Sequence, residues 1–163
     1  MGCPFCFLRG SKFFNASQKI QRLKHLQQCL ADDVNNGCID LSLIGGEIFD
    51  GQLEEGDVKE EFYKLLNLVC ELHSSSKIRR LMLATSLAFD IDKWLIPALS
   101  YLKQNSMLDS TLVCASYDTA YRFNDKSLAS WESSMKKLVS MREVNLHIEM
   151  ILTRDAIRKI MNG

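Results

Sequence analysis

The sequence predicts an α/β fold built on a parallel sheet of about four strands joined by crossover helices. Three observations predict it. Helical and strand-like patterns alternate four times along the 163 residues. The strand-like runs are short and mostly apolar, the pattern of strands in a parallel sheet. Each pair of runs is separated by a helical segment long enough for the crossover that parallel strands need.

Met1 to Phe14 reads as a loop punctuated by Cys, Pro and Gly. From Asn15 to about Val34, the spacing of Ile20, Leu23, Leu26 and Leu30 predicts a helix. Asn15 or Ser17 caps its start, and Asn35-Asn36-Gly37, which tolerates left-handed backbone, ends it. Cys38 to Ile44 is the first strand, and the acidic, Gly-containing stretch Asp50 to Asp57 is a loop. Val58 to His73 is a helix with Phe62, Leu65, Leu66, Val69 and Leu72 on one face, broken by Ser74-Ser75-Ser76.

Ile78 to Thr85 is the second strand. Ile91 to Gln104 is a helix with Trp94, Leu95, Ala98, Leu99 and Leu102 inward. Pro97 implies either a kink or a later helix start. Thr111 to Ser116 is the third strand, followed by a polar, aromatic loop from Tyr117 to Asp125. Ser127 to Met141 is a helix capped by Ser127, Asn145 to Leu152 is the fourth strand, and Asp155 to Met161 opens a last helix. There is no repeat, low-complexity tract or second domain, so residues 1–163 read as one domain.

Hydrophobic residues make up 47% and charged residues 25%, the composition of a globular chain with a real core. Lys+Arg and Asp+Glu are both 20, which leaves no global positive field for nucleic acid. No apolar run approaches the roughly 20 residues of a membrane span, and no signal peptide is expected. The six cysteines, in a chain of this length, predict mostly free thiols in a reducing, cytoplasmic setting. Cys29, Cys38, Cys70 and Cys114 read as small apolar core residues. An open four-stranded sheet has two unprotected edges, so either marginal stability or a second chain covering one of them is expected.

Open parallel sheets bind ligands beyond the carboxyl ends of their strands. At the first exit, Gly45-Gly46-Glu47 lets the backbone approach a ligand closely, and Glu47 either pairs with an ammonium group or is a solvated turn residue. The second exit, Thr85-Ser86, offers two hydroxyls. At the third, Ser116 and Asp118 point to the same side of an extended segment and either bind one diol or form a turn. At the fourth, Asp155 reads as the cap of the last helix. Only Cys3 and Cys6 have metal-ligand spacing; a Cys-x-x-Cys serves as a zinc half-site, a redox dithiol or part of an iron–sulfur site. A zinc site wants a second pair, and His25, His73 and His147 are scattered singly.

Taken in order, these residues resemble the radical S-adenosylmethionine (radical SAM) enzymes. Cys3-Pro4-Phe5-Cys6 is similar to the second half of that family's Cys-x-x-x-Cys-x-aromatic-Cys motif, with Phe5 at the aromatic position. Ile44-Gly45-Gly46-Glu47 resembles its Gly-Gly-Glu motif, and Ser116-Tyr117-Asp118 its Ser-x-Asp segment. Glu149 to Thr153 falls where the strand beside the adenine would run. The resemblance implies part of a (β/α)6 partial TIM barrel, strands two to five of six. It implies a 4Fe–4S cluster on Cys3 and Cys6 and S-adenosylmethionine in the pocket. Phe5 then packs near the adenine, Gly45, Gly46 and Glu47 take the amino group, and Ser116 and Asp118 lie near the ribose, with Thr85 at the neighbouring exit.

The implied reaction is reductive cleavage of the cofactor to a deoxyadenosyl radical, on a small-molecule or peptide substrate that no motif here specifies. The family's first cysteine would lie four positions before Cys3, ahead of Met1, and Ile48 stands where proline usually follows Gly-Gly-Glu. The alternative is therefore a catalytically degenerate binding or assembly module of the same fold.

Overall fold

A computed structural model of the chain describes residues 15–33, 37–44, 47–49, 51–54, 56–117, 125–150, 157–158 and 161. The strands are β1 (Ile39–Leu43), β2 (Ile78–Thr85), β3 (Thr111–Tyr117) and β4 (Asn145–Met150). The long helices are α1 (Ala16–Asp33), α2 (Gly56–Ser74), α3 (Leu95–Gln104) and α4 (Asp125–Ser140). The sheet order is β1-β2-β3-β4, and every neighbouring pair is parallel. Strands laid down in sequential order with right-handed crossovers put all the helices on one face.

Burial follows that rule. Register aligns Leu43 with Leu83 and Leu83 with Val113, a row of side chains buried against the helices. Leu65, Leu66 and Val69 of α2, Leu99 and Leu102 of α3, and Leu138 of α4 close over the sheet with essentially no exposure. Each such side chain contributes about 1.5–3 kcal/mol by leaving water. On the other face, Met82, Leu112 and Ser116 are half-buried, and Arg80, His147 and Glu149 are exposed.

Several expectations are corrected. Helix α3 starts at Leu95 rather than Ile91. Pro97 is therefore its third residue, in the first turn, where an N–H has no intrahelical acceptor, so the helix needs no kink. Helix α4 starts at Asp125, which places Ser127 inside it rather than at its cap. Two 3-10 turns are present: Gly51–Glu54, where a loop was expected, and Leu108–Ser110, to which no element was assigned. Each is pinned by one buried leucine, Leu53 or Leu108. One buried position makes no period, so the sequence pattern carries no trace of them. Helix α1 is capped by Asn15: its Oδ1 accepts from Gln18 N at 2.9 Å, and Gln18 Oε1 accepts from Asn15 N at 3.1 Å. This is a reciprocal capping box.

Cys70 and Cys114 are buried, as expected. Cys38, however, is exposed, because it precedes an edge strand, and Cys29 is only half-buried on α1, its Sγ 3.6 Å from His25 Nε2. Burial, followed by the charge of Glu71, pushes the Cys70 thiol from an ordinary 9.0 up to about 11. Burial and then Glu149 push Cys114 up to about 11 as well. These thiols ionise in the unfolded chain first, so their contribution to stability is complete below pH 9 and declines as pH rises towards 11. Urea unfolding at stepped pH is expected to show that decline, and iodoacetamide mapped by mass spectrometry is expected to modify Cys38 well before Cys70 or Cys114. Rapid labelling of Cys114 in the folded chain would contradict its placement.

Among the described residues, no strand pairs with the outer side of β1 or of β4. On β4, Ile148 and Met150 are 49% and 44% exposed. Among the described residues, no helix is long and apolar enough to cross a membrane.

Candidate functional site

The carboxyl ends of β1 and β2 meet in one polar cluster centred on Glu47. Glu47 lies four residues past the end of β1, yet its side chain reaches the exit of β2. Oε1 accepts from Thr85 Oγ1 at 3.0 Å and from Phe49 N at 3.2 Å. Oε2 accepts from Ser86 N at 2.8 Å and from Ser86 Oγ at 2.5 Å. A carboxylate has about four acceptor directions, and four donors use them. All four donors are neutral, and among the described residues Glu47 forms no ion pair, although the Lys19 ammonium lies 3.5 Å from the carbonyl oxygen of the next residue, Ile48.

The residues around Glu47 are fixed from both sides. Two residues on, Phe49 is fully buried. Its ring meets Phe62 of α2 edge-on at 5.7 Å and stacks on Phe89 at 5.4 Å. Lys19 of α1 donates to Ile48 O at 3.5 Å. On the β2 side, Thr85 is buried, and its Oγ1 also accepts from Leu87 N at 3.1 Å. Ser86 Oγ accepts from Ala88 N at 3.3 Å. Leu87 is fully buried with φ of 53°, a left-handed backbone that a leucine rarely adopts. Strain of this kind, of order 1–3 kcal/mol, persists where the surroundings over-determine it.

Of the residues expected to form the site, the structure brings Glu47 and Thr85 together and adds Ser86. Ser116 lies one strand over: Thr85 is in register with Ala115, its neighbour, and Ser116 itself is opposite Glu149 of β4. Tyr117 turns to the helix side, its ring 4.8 Å from Trp131 of α4. Cys3, Phe5, Cys6, Gly45, Gly46 and Asp118 lie outside the described residues. At the second exit, the hydroxyls of Thr85 and Ser86 point at the glutamate of the first exit. The sequence signal was the adjacent Thr85-Ser86 pair; what it lacked was the direction of the side chains.

Neither Cys29 nor Cys38 is placed to join a metal site at the strand exits. Cys29 lies in the last turns of α1, which leads to the amino end of the sheet. Cys38 immediately precedes β1, at its amino end. The length of the strand, about 3.3 Å per residue, separates that end from Glu47. Among the described residues, no three His, Cys, Asp or Glu side chains come together as metal ligands.

No protein-family profile and no curated protein matches the chain. By structure it is similar to native anSMEcpe with bound AdoMet, with a TM-score of 0.60 and 18% identity, covering 98% of this chain and 42% of that one. Streptococcus suis SuiB aligns with a TM-score of 0.37 and 15% identity, covering 99% of this chain and 49% of that one. The chain spans less than half the length of either protein. The likeness to anSMEcpe establishes the fold, an α/β arrangement around a four-stranded parallel sheet, consistent with part of a partial TIM barrel.

Proposed function

We propose that the chain is the core of a radical SAM enzyme, binding S-adenosylmethionine beyond the carboxyl ends of β1 to β4. The observation that carries this reading is the Glu47 carboxylate, oriented at the strand exits by four neutral donors and in no ion pair among the described residues. A fixed, unneutralised carboxylate suits an ammonium group, because neutral donors set its position without cancelling its charge. A fold shared with a protein that has AdoMet bound supports the same ligand class.

Within this proposal, Gly45, Gly46 and Glu47 receive the amino group and orient the amino-acid end of the cofactor. Ser116 and Asp118 hold the ribose, and Phe5 packs near the adenine. Cys3 and Cys6 are the chain's ligands to a 4Fe–4S cluster. When bound, that cluster supplies the electron that cleaves the cofactor's carbon–sulfur bond. The protein's own work is to bind, to orient and to exclude water.

A second reading has a specific observation in its favour. Cys29 and Cys38 lie towards the amino end of the sheet, so neither is placed to add a ligand at the strand exits. On that reading the chain binds S-adenosylmethionine without chemistry, as a binding or assembly module. Calorimetry is expected to show binding of S-adenosylmethionine with a dissociation constant on the order of 1–100 µM, about −5.5 to −8 kcal/mol. Anaerobic reconstitution followed by iron counting and electron paramagnetic resonance separates the two readings. Binding with a reducible cluster favours the enzyme, and binding without one favours the module. Absence of binding would sink both.

A further inference from the structure

We propose that Ser86 is a positioning residue that acts through Glu47, with Thr85 fixed beside it. The inference rests on the proposed S-adenosylmethionine site and adds a residue to it. Ser86 supplies two of the four bonds to Glu47, one from its amide at 2.8 Å and one from its hydroxyl at 2.5 Å, and both reach the same oxygen, Oε2. Thr85 holds the other oxygen at 3.0 Å. The two hydroxyls thus set both the place and the rotation of the carboxylate.

Neither hydroxyl is free to turn at no cost. Thr85 Oγ1 accepts from Leu87 N, and Ser86 Oγ accepts from Ala88 N. The backbone that aims them is the unusual one: Leu87 takes φ of 53° while completely buried. A strand that simply ended at Thr85 would need neither the left-handed residue nor a hydroxyl pair bonded to its own next turn. The strain is explained if its product is the orientation of Ser86 towards Glu47. The clamp also joins elements 39 residues apart in sequence, so β1 and β2 present their exits as one surface.

The test is a double-mutant cycle on S-adenosylmethionine affinity in the full chain, using Ser86→Ala, Glu47→Ala and the double variant. 5′-Methylthioadenosine, which lacks the amino-acid end, is titrated in parallel. Ser86→Ala keeps the amide bond and removes the hydroxyl bond to a charged group, so about a tenfold loss of S-adenosylmethionine affinity is expected. Methylthioadenosine affinity is expected to stay unchanged, and Ser86→Thr, which restores a hydroxyl, to regain most of the loss. In the Glu47→Ala background, Ser86→Ala is expected to add nothing.

Additive losses would show that Ser86 acts independently of Glu47 and would overturn the positioning role, as would equal losses for both ligands or no loss at all. Failure of the wild-type chain to bind S-adenosylmethionine is a different outcome: it overturns the reading of the site itself. Melting curves of each variant separate an unfolded protein from an affinity change. If Ser86→Ala does not fold, Ser86→Thr and Ser86→Gly carry the same comparison.

Discussion

Phe49→Ala is expected to destabilise the protein by about 3–5 kcal/mol, the usual cost of removing a fully buried aromatic side chain. Phe49 has no exposed surface, and its ring lies against Phe62 of α2 and Phe89 after β2. Truncation removes both ring contacts and leaves a cavity at the corner where the loop after β1 enters the core. Against a typical total of about 5–15 kcal/mol, this is a large fraction. Urea unfolding measures it as a lower midpoint at unchanged slope. Because the same ring anchors the backbone two residues after Glu47, the variant is also expected to weaken ligand binding at the site. Phe89→Ala, at a half-exposed position, is expected to cost less. A loss below about 1 kcal/mol for Phe49→Ala would mean that the ring does not seat in the core.

On the proposed site, Glu47→Ala is expected to lower S-adenosylmethionine affinity by about 10- to 100-fold, the equivalent of losing about 1.4–2.7 kcal/mol of charge attraction to the ammonium group, since the carboxylate's acceptor directions are already used within the protein. The substitution also strips the acceptor from Thr85 Oγ1, Ser86 Oγ, Ser86 N and Phe49 N. The cluster is only partly buried, so water can replace some of these bonds, and the stability cost is expected to be about 1–3 kcal/mol. Glu47→Gln is not a mild alternative. Its amide offers one acceptor oxygen and one NH2 donor group, and the NH2 would face a donor on one side of the site. The Ser86 amide cannot turn to accept. Calorimetry on both variants checks this, and unchanged affinity in both would remove Glu47 from the site.

The elements legible in the sequence were those with a period. Strand β2 lies at Ile78–Thr85 as its apolar run predicts, and α1 and α2 lie within two residues of their patterns. The misplaced boundaries have local causes. Trp94 and Ile91 extend the apolar spacing of α3 towards its start, although residues 91–94 form a turn, so periodicity alone set the start too early. Ser127 resembles a cap by residue type, but α4 already starts at Asp125. Cys38 reads as a core residue next to an apolar run, yet an edge strand leaves it in water.

The sequence by itself determined the fold class and the chain positions of the strand exits. Apolar strand runs separated by crossover helices admit few arrangements other than a parallel sheet, and such a sheet presents its exits in chain order. Which groups meet at those exits was decided only by the tertiary structure. Glu47 reads either as a partner for an ammonium group or as a solvated turn residue, and Thr85-Ser86 as two hydroxyls at an exit. The parallel pairing of β1 with β2 brings the two exits side by side, and the left-handed turn at Leu87 follows directly on the hydroxyl pair that meets the carboxylate. Hydrogen bonds between residues about forty positions apart depend on strand register and side-chain direction, and neither leaves a periodic mark in the sequence.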